Sequence, residues 1–138
     1  MLSAASDTKW DTGFVSQEGM TMANAGLALV WKQVKTGREA QALELFGSTM
    51  KYYTQLRERG EIQSFEPVLF QAHGGELNGF VHVRGTETQI DTLRRADKFR
   101  SMTLQCIYCL DGFGVVDAIT GDQLNQMMAE WGQLIGKG

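Results

Sequence analysis

The chain has 138 residues, 43% of them hydrophobic and 21% charged, and a formal net charge of −3. This length suffices for one domain with its own core, and the acidity argues against general affinity for nucleic acid, which needs clustered Lys and Arg. No apolar run approaches the roughly 18 residues of a membrane span. The N-terminus lacks the basic start and following apolar block of a secretory signal, and the chain has only two cysteines. We therefore expect a cytoplasmic protein with reduced thiols.

The first 25 residues differ from the rest of the chain. They are polar and rich in small residues. Their apolar residues recur neither at every second position, as in a strand, nor about every 3.6 positions, as in a helix. We interpret residues 1–25 as an irregular N-terminal arm, in which Trp10 and Phe14 are possible anchors. Residues 26–138 then form a single domain.

The first predicted strand covers Leu27 to Val34 and is apolar on both faces. A strand of this kind needs cover on both sides of its sheet. A helix follows, opened by a capping box of Thr36 and Glu39 and stopped by Gly60.

A hairpin from Ser64 to Gly85 is the centre of the predicted architecture. Pro67 interrupts its first arm, and because proline cannot donate to a ladder, this arm belongs at a sheet edge. The second arm alternates, with Val81 and Val83 on one face. Its other face carries Phe80, His82 and Arg84.

The remaining elements are two helical pieces, a strand and a last helix. Thr86 and Gln89 form a second capping box, and after a bend the next helical piece runs from about Phe99 to Leu110. The last strand covers Phe113–Ile119, and a third box, Thr120 with Gln123, opens the final helix. That helix has apolar residues at the spacing of a single buried face: Leu124, Met127, Met128, Trp131 and Ile135.

This order predicts an α+β fold of the ferredoxin-like β-α-β-β-α-β type, with a four-stranded antiparallel sheet and an extra C-terminal helix. The helices cover one face of the sheet. The other face would expose an apolar patch that is unusual for a soluble monomer. We therefore predict a homodimer through this sheet face, with the terminal helix and the N-terminal arm as alternative covers.

Residues from about 27 to about 119 resemble the dimeric α/β-barrel superfamily. The resemblance lies in the order of the helices and strands and in strands that are apolar on both faces. That superfamily includes small antibiotic-biosynthesis-type monooxygenases, muconolactone isomerases, heme-binding members and proteins of unknown reaction. The resemblance implies a ligand cavity beside the sheet and the helices packed on it. It rests on no catalytic motif, so it assigns no active-site residue.

The candidate ligand-binding residues centre on the second hairpin arm. His82 beside Arg84 should stay neutral, which suits a base or a hydrogen-bond partner, and Arg84 can pair with a carboxylate. The alternative is that both make polar contacts at a dimer seam, with Asp117 or Glu66. The full candidate set is Phe80, His82, Arg84, Trp31, Tyr53 and Asp117. For Trp31 and Tyr53 the alternative is a place in the core, which is usual for aromatic residues at strand and helix spacing.

Other suggestive patterns have simpler interpretations. Cys106 and Cys109 form a C-x-x-C late in a predicted helix, which favours buried core cysteines over a redox pair or a metal site. The glycines of His73–Glu76 serve a turn. The basic residues between Arg94 and Arg100 alternate with acidic ones, as on a solvated helix face. No metal site or cofactor-binding motif is present in the sequence.

Two functional hypotheses follow. The first is a homodimeric domain with a cavity for a small organic molecule and no catalytic motif. The second is a cofactor-independent monooxygenase or isomerase, in which His82 is the base and Arg84 binds an anionic group. The sequence leaves open whether the protein is an enzyme.

Overall fold

The computed structural model describes residues 24–137. The predicted arm lies almost wholly outside the described residues, and so do Trp10 and Phe14. The elements in chain order are β1 (Ala25–Trp31), β2 (Gln33–Val34), α1 (Glu39–Glu58), β3 (Ser64–Leu69), β4 (Gly79–Gly85), α2 (Glu87–Arg95), α3 (Asp97–Cys109), β5 (Leu110–Asp111), β6 (Gly114–Ala118) and α4 (Gly121–Lys137).

The main sheet has four antiparallel strands in the order β3-β4-β1-β6. The α+β class and the four-stranded antiparallel sheet are as predicted, and this order is compatible with a ferredoxin-like fold. β3 lies at one edge, where Pro67 pairs with Val81. A proline is tolerated there because its missing N–H breaks no internal ladder.

The first strand is shorter than predicted. β1 ends at Trp31, and the chain bends at Lys32 before β2 pairs with β5 in a separate two-stranded sheet. The Lys32 amide donates to the Asp111 carbonyl at 2.8 Å. The continuous apolar pattern therefore spans two strands that belong to different ladders.

One face of the main sheet forms the core with the helices, and we call it the helix-side face. Its central side chains come from β1 and β4, and each is at most 7% exposed: Leu27, Leu29, Trp31, Val81 and Val83. The helices and the segment before β3 contribute the other buried members: Tyr53, Leu56, Ile62, Ile90, Leu93 and Phe99. Burial of these side chains fixes which face of each strand points inward.

The capping boxes had different outcomes. At Thr86 the predicted box is confirmed, since its hydroxyl accepts from the Gln89 amide and the Gln89 side chain accepts from the Thr86 amide. At Thr36 the prediction was wrong. Gly37 has φ of 88°, α1 begins after Arg38, and the Glu39 carboxylate accepts from the Gly37 amide.

The helix α4 is the main departure from the predicted packing. Its apolar residues were expected to be buried, but Met127, Met128, Trp131 and Ile135 are 42%, 49%, 56% and 67% exposed. Every described side chain from Asn125 to Gly136 is exposed. The helix and its amphipathic pattern are present, whereas the predicted burial is not found for the described side chains of α4.

The second face of the main sheet is left open by α1, α2 and α3, and we call it the open face. The strand register places these residues on it: Ser64, Glu66 and Val68 from β3; Phe80, His82 and Arg84 from β4; Gly26, Ala28 and Val30 from β1; Gly114, Val116 and Ala118 from β6. Among the described helices, none combines the length and the apolar character needed to cross a membrane.

Candidate functional site

The structure divides the predicted site residues between the two faces of the sheet. Phe80, His82 and Arg84 lie together on the open face. Trp31 and Tyr53 belong to the core on the helix-side face. Because the sheet separates the two groups, they do not line one common pocket.

Asp117 lies with the second group, on the helix-side face, since it pairs with Leu27 in the register. Its carboxylate accepts a hydrogen bond from Arg94 Nη2 at 2.9 Å. Within one chain, Asp117 therefore lies on the opposite face of the sheet from His82 and Arg84. On β6, Val116 and Ala118 point to the open face, so Asp117 between them points to the other face.

His82 and Arg84 each carry a buried nitrogen without a partner. His82 Nε2 and Arg84 Nε have no hydrogen-bond acceptor or donor among the described residues. Burial lowers the pKa of His82, with the Arg84 charge as a second cause, while Glu66 across the ladder opposes the shift. The imidazole is therefore neutral at neutral pH, as predicted.

The imidazole of His82 lies over Gly26. A Cβ placed on Gly26 would lie 3.0 Å from His82 Nε2 and 3.2 Å from the Val83 carbonyl oxygen. Any larger residue at position 26 would displace the ring or the strand. Because Gly26 has no side chain, it leaves the space that the His82 ring occupies on the open face.

A cleft of about 370 Å³ lies between the helix-side face and the helices α1 and α3. Its walls are mainly aliphatic and aromatic: Leu29, Trp31, Val34, Ala42, Leu43, Leu45, Phe46, Leu69, Val81, Leu110 and Phe113. The polar groups in the wall come from Glu39, Thr49, Asn78 and Cys106. This size is within the usual range of small-molecule sites, about 300–1,000 Å³.

One polar group in the cleft has a fixed orientation. Trp31 Nε1 donates to Asn78 Oδ1 at 2.7 Å. Because an indole nitrogen can only donate, this bond assigns the oxygen of the Asn78 amide and leaves its NH₂ group as a donor. The half-buried Asn78 amide can therefore donate to an oxygen atom of a ligand.

Cys106 contributes a thiol to the same cleft. Burial raises its pKa to about 11, with Cys109 as the second cause, so the group is a protonated thiol at neutral pH. Cys109 is buried and both cysteines are free. This agrees with the interpretation of the C-x-x-C as core cysteines, since a reactive thiolate needs a lowered pKa.

Two further patterns have structural roles. In the connection of residues 70–78, Gly74 has φ of 85° and His73 Nε2 contacts the Leu77 carbonyl oxygen at 3.0 Å, which is turn chemistry. In the basic segment, Arg94 pairs with Asp117 and Arg100 with Asp97. Within the described residues, no group of His, Cys, Asp and Glu is placed to hold a metal ion.

The sequence interpretation missed Asn78, Ala42 and Cys106 as cleft residues. Asn78 was considered only as part of the turn between the two hairpin arms. Its role depends on the contact with Trp31, which is 47 positions away. No local pattern in the sequence reveals a pairing at that separation.

Comparison with protein-family models, with curated proteins and with solved structures found no match.

Proposed function

We propose that this protein binds a small, neutral, largely apolar organic molecule in the cleft between the sheet and the helices α1 and α3. The observation that carries the proposal is the apolar cleft of about 370 Å³ with the oriented amide of Asn78 in its wall. The ligand would bury a ring or an alkyl body against the apolar wall. One oxygen atom of the ligand would accept from the Asn78 NH₂ group.

The charge of the lining supports a neutral ligand. None of the lining residues is Lys, Arg or His, and the one carboxylate, Glu39, is exposed. A carboxylate or phosphate placed there would lose its hydration without gaining a cation, which is costly in an apolar site. Phenols, ketones and esters fit this lining better than acids.

The proposal includes a cytoplasmic homodimer assembled through the open face, as in the dimeric α/β-barrel superfamily that the chain resembles. The strand order compatible with a ferredoxin-like fold supports this resemblance. The apolar members of the open face support the assembly: Val68, Phe80, Ala28, Val30 and Val116. Val116 of β6 is 50% exposed among the described residues.

The monooxygenase or isomerase hypothesis has one observation in its favour. His82 is a neutral imidazole with an unpartnered Nε2, as a general base requires. It lies across the sheet from the cleft, so a substrate for His82 would need a separate site on the open face. The cleft therefore supports binding more directly than it supports catalysis by His82.

The proposal is tested with a matched pair of ligands and a matched pair of variants. Displacement of a neutral fluorescent dye such as Nile red should be about tenfold more effective with 2-naphthol than with 2-naphthoate, because the rings are the same and the carboxylate adds a negative charge that this lining does not neutralise. Ala42→Phe fills the cleft and should abolish dye binding. Ala40→Phe, at an exposed position on the same helix, should not.

Equal displacement by 2-naphthoate would contradict the neutral ligand class. Dye binding that survives Ala42→Phe would place the site elsewhere on the molecule. Because Ala42→Phe adds volume to a packed region, its circular dichroism spectrum must match that of the native chain. Asn78→Leu gives a second check, since it keeps the size of the side chain and removes the donor.

A further inference from the structure

The cleft between the sheet and the helices is long and narrow. Its α1 wall consists of residues on one side of that helix: Glu39, Ala42, Leu43, Leu45, Phe46 and Thr49. At a rise of about 1.5 Å per residue, the wall from Glu39 to Thr49 is about 15 Å long. The cleft volume of about 370 Å³, spread over that length, gives a mean cross-section of about 25 Å². This is room for one extended chain or for one flat ring seen edge-on.

The inner end of the cleft lies against the buried core. The ring centroids of Tyr53 and Phe65 are 5.8 Å apart, and Phe65 is level with Leu27 in the strand register. Thr49 is one helical turn before Tyr53, and Leu29 is two strand residues after Leu27, so each lies about 6 Å from this layer. The two walls therefore run side by side, and the cleft ends at Thr49 and Leu29.

The outer end of the cleft lies at the surface and has an apolar rim. Ala42 packs with Val34 and Leu110 at this end. Two leucines of the cleft wall, Leu43 on α1 and Leu69 at the end of β3, are 76% and 60% exposed. A ligand whose apolar body reaches this rim would remove both leucine side chains from water, which is favourable.

The oriented amide of Asn78 lies between the two ends. Asn78 directly precedes Gly79, which pairs with Trp31, and Trp31 is two residues beyond Leu29 on β1. At strand spacing the amide is therefore about 7–10 Å from the inner end of the cleft. The remaining part of the cleft, about 5–8 Å long, extends beyond the amide to the rim. An acceptor oxygen placed at Asn78 has apolar wall on both sides of it.

We propose that the ligand is an unbranched ketone or ester of about ten to twelve chain atoms, with its carbonyl group near the middle of the chain. This rests on the proposed function and names the ligand class of the same cleft. An extended chain advances about 1.2 Å per bond, one third of the length of an extended peptide residue, so ten bonds cover about 12 Å. The carbonyl oxygen accepts from the Asn78 NH₂ group. One arm of the chain lies against Leu29, and the other reaches Leu43 and Leu69.

Displacement of Nile red by two isomeric ketones tests the carbonyl position in the full chain. 6-Undecanone and 2-undecanone have the same atoms and no charge, and they differ only in the position of the carbonyl group. 6-Undecanone should be about tenfold more effective, because with its oxygen at Asn78 both arms are buried, whereas the long arm of 2-undecanone extends into water. The cage ketone 2-adamantanone should be about tenfold weaker than 6-undecanone, since the cage is wider than the cleft.

Two variants locate this preference in the cleft. Asn78→Asp keeps an acceptor for Trp31 Nε1 and removes the NH₂ donor, so the ratio between the isomers should fall to about one. Thr49→Phe fills the inner end and should remove the preference as well. Its control is Ser48→Phe, at an exposed position outside the cleft lining, which should keep the preference. Circular dichroism of each variant must match that of the native chain.

The outcomes separate this inference from the proposed function. Equal displacement by the two undecanones would overturn the internal carbonyl. A preference for 2-undecanone would also overturn it, and would place the carbonyl at an end of the cleft, beside Thr49 or Glu39. In both cases displacement by 2-naphthol would still support ligand binding. If neither the ketones nor 2-naphthol displace the dye, the proposed function fails and this inference fails with it.

Discussion

The two faces of the main sheet are built from alternate residues of the same strands, yet they differ in what covers them. On the helix-side face, Leu27 and Val83 are 0% exposed. On the open face, Val116 is 50% exposed and Arg84 and His82 carry unpartnered nitrogens. The helix-side face is completed by helices of the same chain. Among the described residues, no helix covers the open face, which is why we propose assembly through it and ligand binding in the cleft on the other side.

The largest expected difference between the faces is in stability. Val83→Ala should lower the free energy of unfolding by about 2–3 kcal/mol. It removes the equivalent of two buried CH₂ groups, each contributing about 0.8 kcal/mol, and leaves a cavity. Val116→Ala removes the same atoms from a half-exposed site. It should cost less than about 1 kcal/mol in the monomer.

Urea unfolding of both variants below the dimerisation concentration measures this difference. Equal losses would mean that the open face is packed as tightly as the core within one chain. That result would remove the argument for a partner on this face.

A smaller effect is expected from the glycine beneath His82. Gly26→Ala places a methyl group 3.0 Å from His82 Nε2 and 3.2 Å from the Val83 carbonyl oxygen, so it should destabilise the fold by about 1 kcal/mol, at the low end for overpacking. Gly47→Ala is the control, since nothing lies within 4 Å of the added Cβ in α1. It should stabilise by about 0.5–1 kcal/mol, the usual helix preference for alanine.

Thermal unfolding of the two glycine variants should therefore shift in opposite directions. A stabilised Gly26→Ala variant would show that the imidazole of His82 is free to move away, and that Gly26 does not determine its place.

The smallest effect should be in the pH dependence of stability. Because the folded pKa of His82 lies below its unfolded value of about 6.5, the unfolded chain binds more protons in that range. Stability should be full above about pH 6.5 and decline as the pH falls towards the folded pKa. His82→Gln should reduce this decline. The measurement is the urea midpoint at pH values from about 5 to about 8, the range in which histidine titrates.

The control for this measurement is His73→Gln, which removes the exposed histidine of the 70–78 connection. It should retain the decline of the native chain. If both variants behave alike, the acid sensitivity arises from groups other than His82.

Sequence reasoning recovered the features that depend on local chemistry. The alternation from Phe80 to Arg84 assigned both faces of β4, and Thr86 with Gln89 predicted a real capping box. Pro67 placed β3 at the edge, because a missing N–H has the same consequence in any sheet. These rules need only neighbours in the chain.

Features that depend on distant partners could not be predicted in this way. The pattern of α4 shows that one side is apolar but not what lies against it, and the prediction of burial failed there. The break at Lys32 depends on Asp111, and the orientation of Asn78 depends on Trp31. The predicted site was also spread over two faces, because Trp31 and Asp117 are in the opposite phase of the sheet from His82.

Pro67 has a consequence for larger assemblies. It pairs with Val81 inside the ladder, so its nitrogen faces the outer edge of β3, where it cannot donate to another strand. An added strand would meet a gap in its hydrogen bonds at this point. Addition of a strand is thereby disfavoured at this edge, whereas β6 at the opposite edge contains no proline.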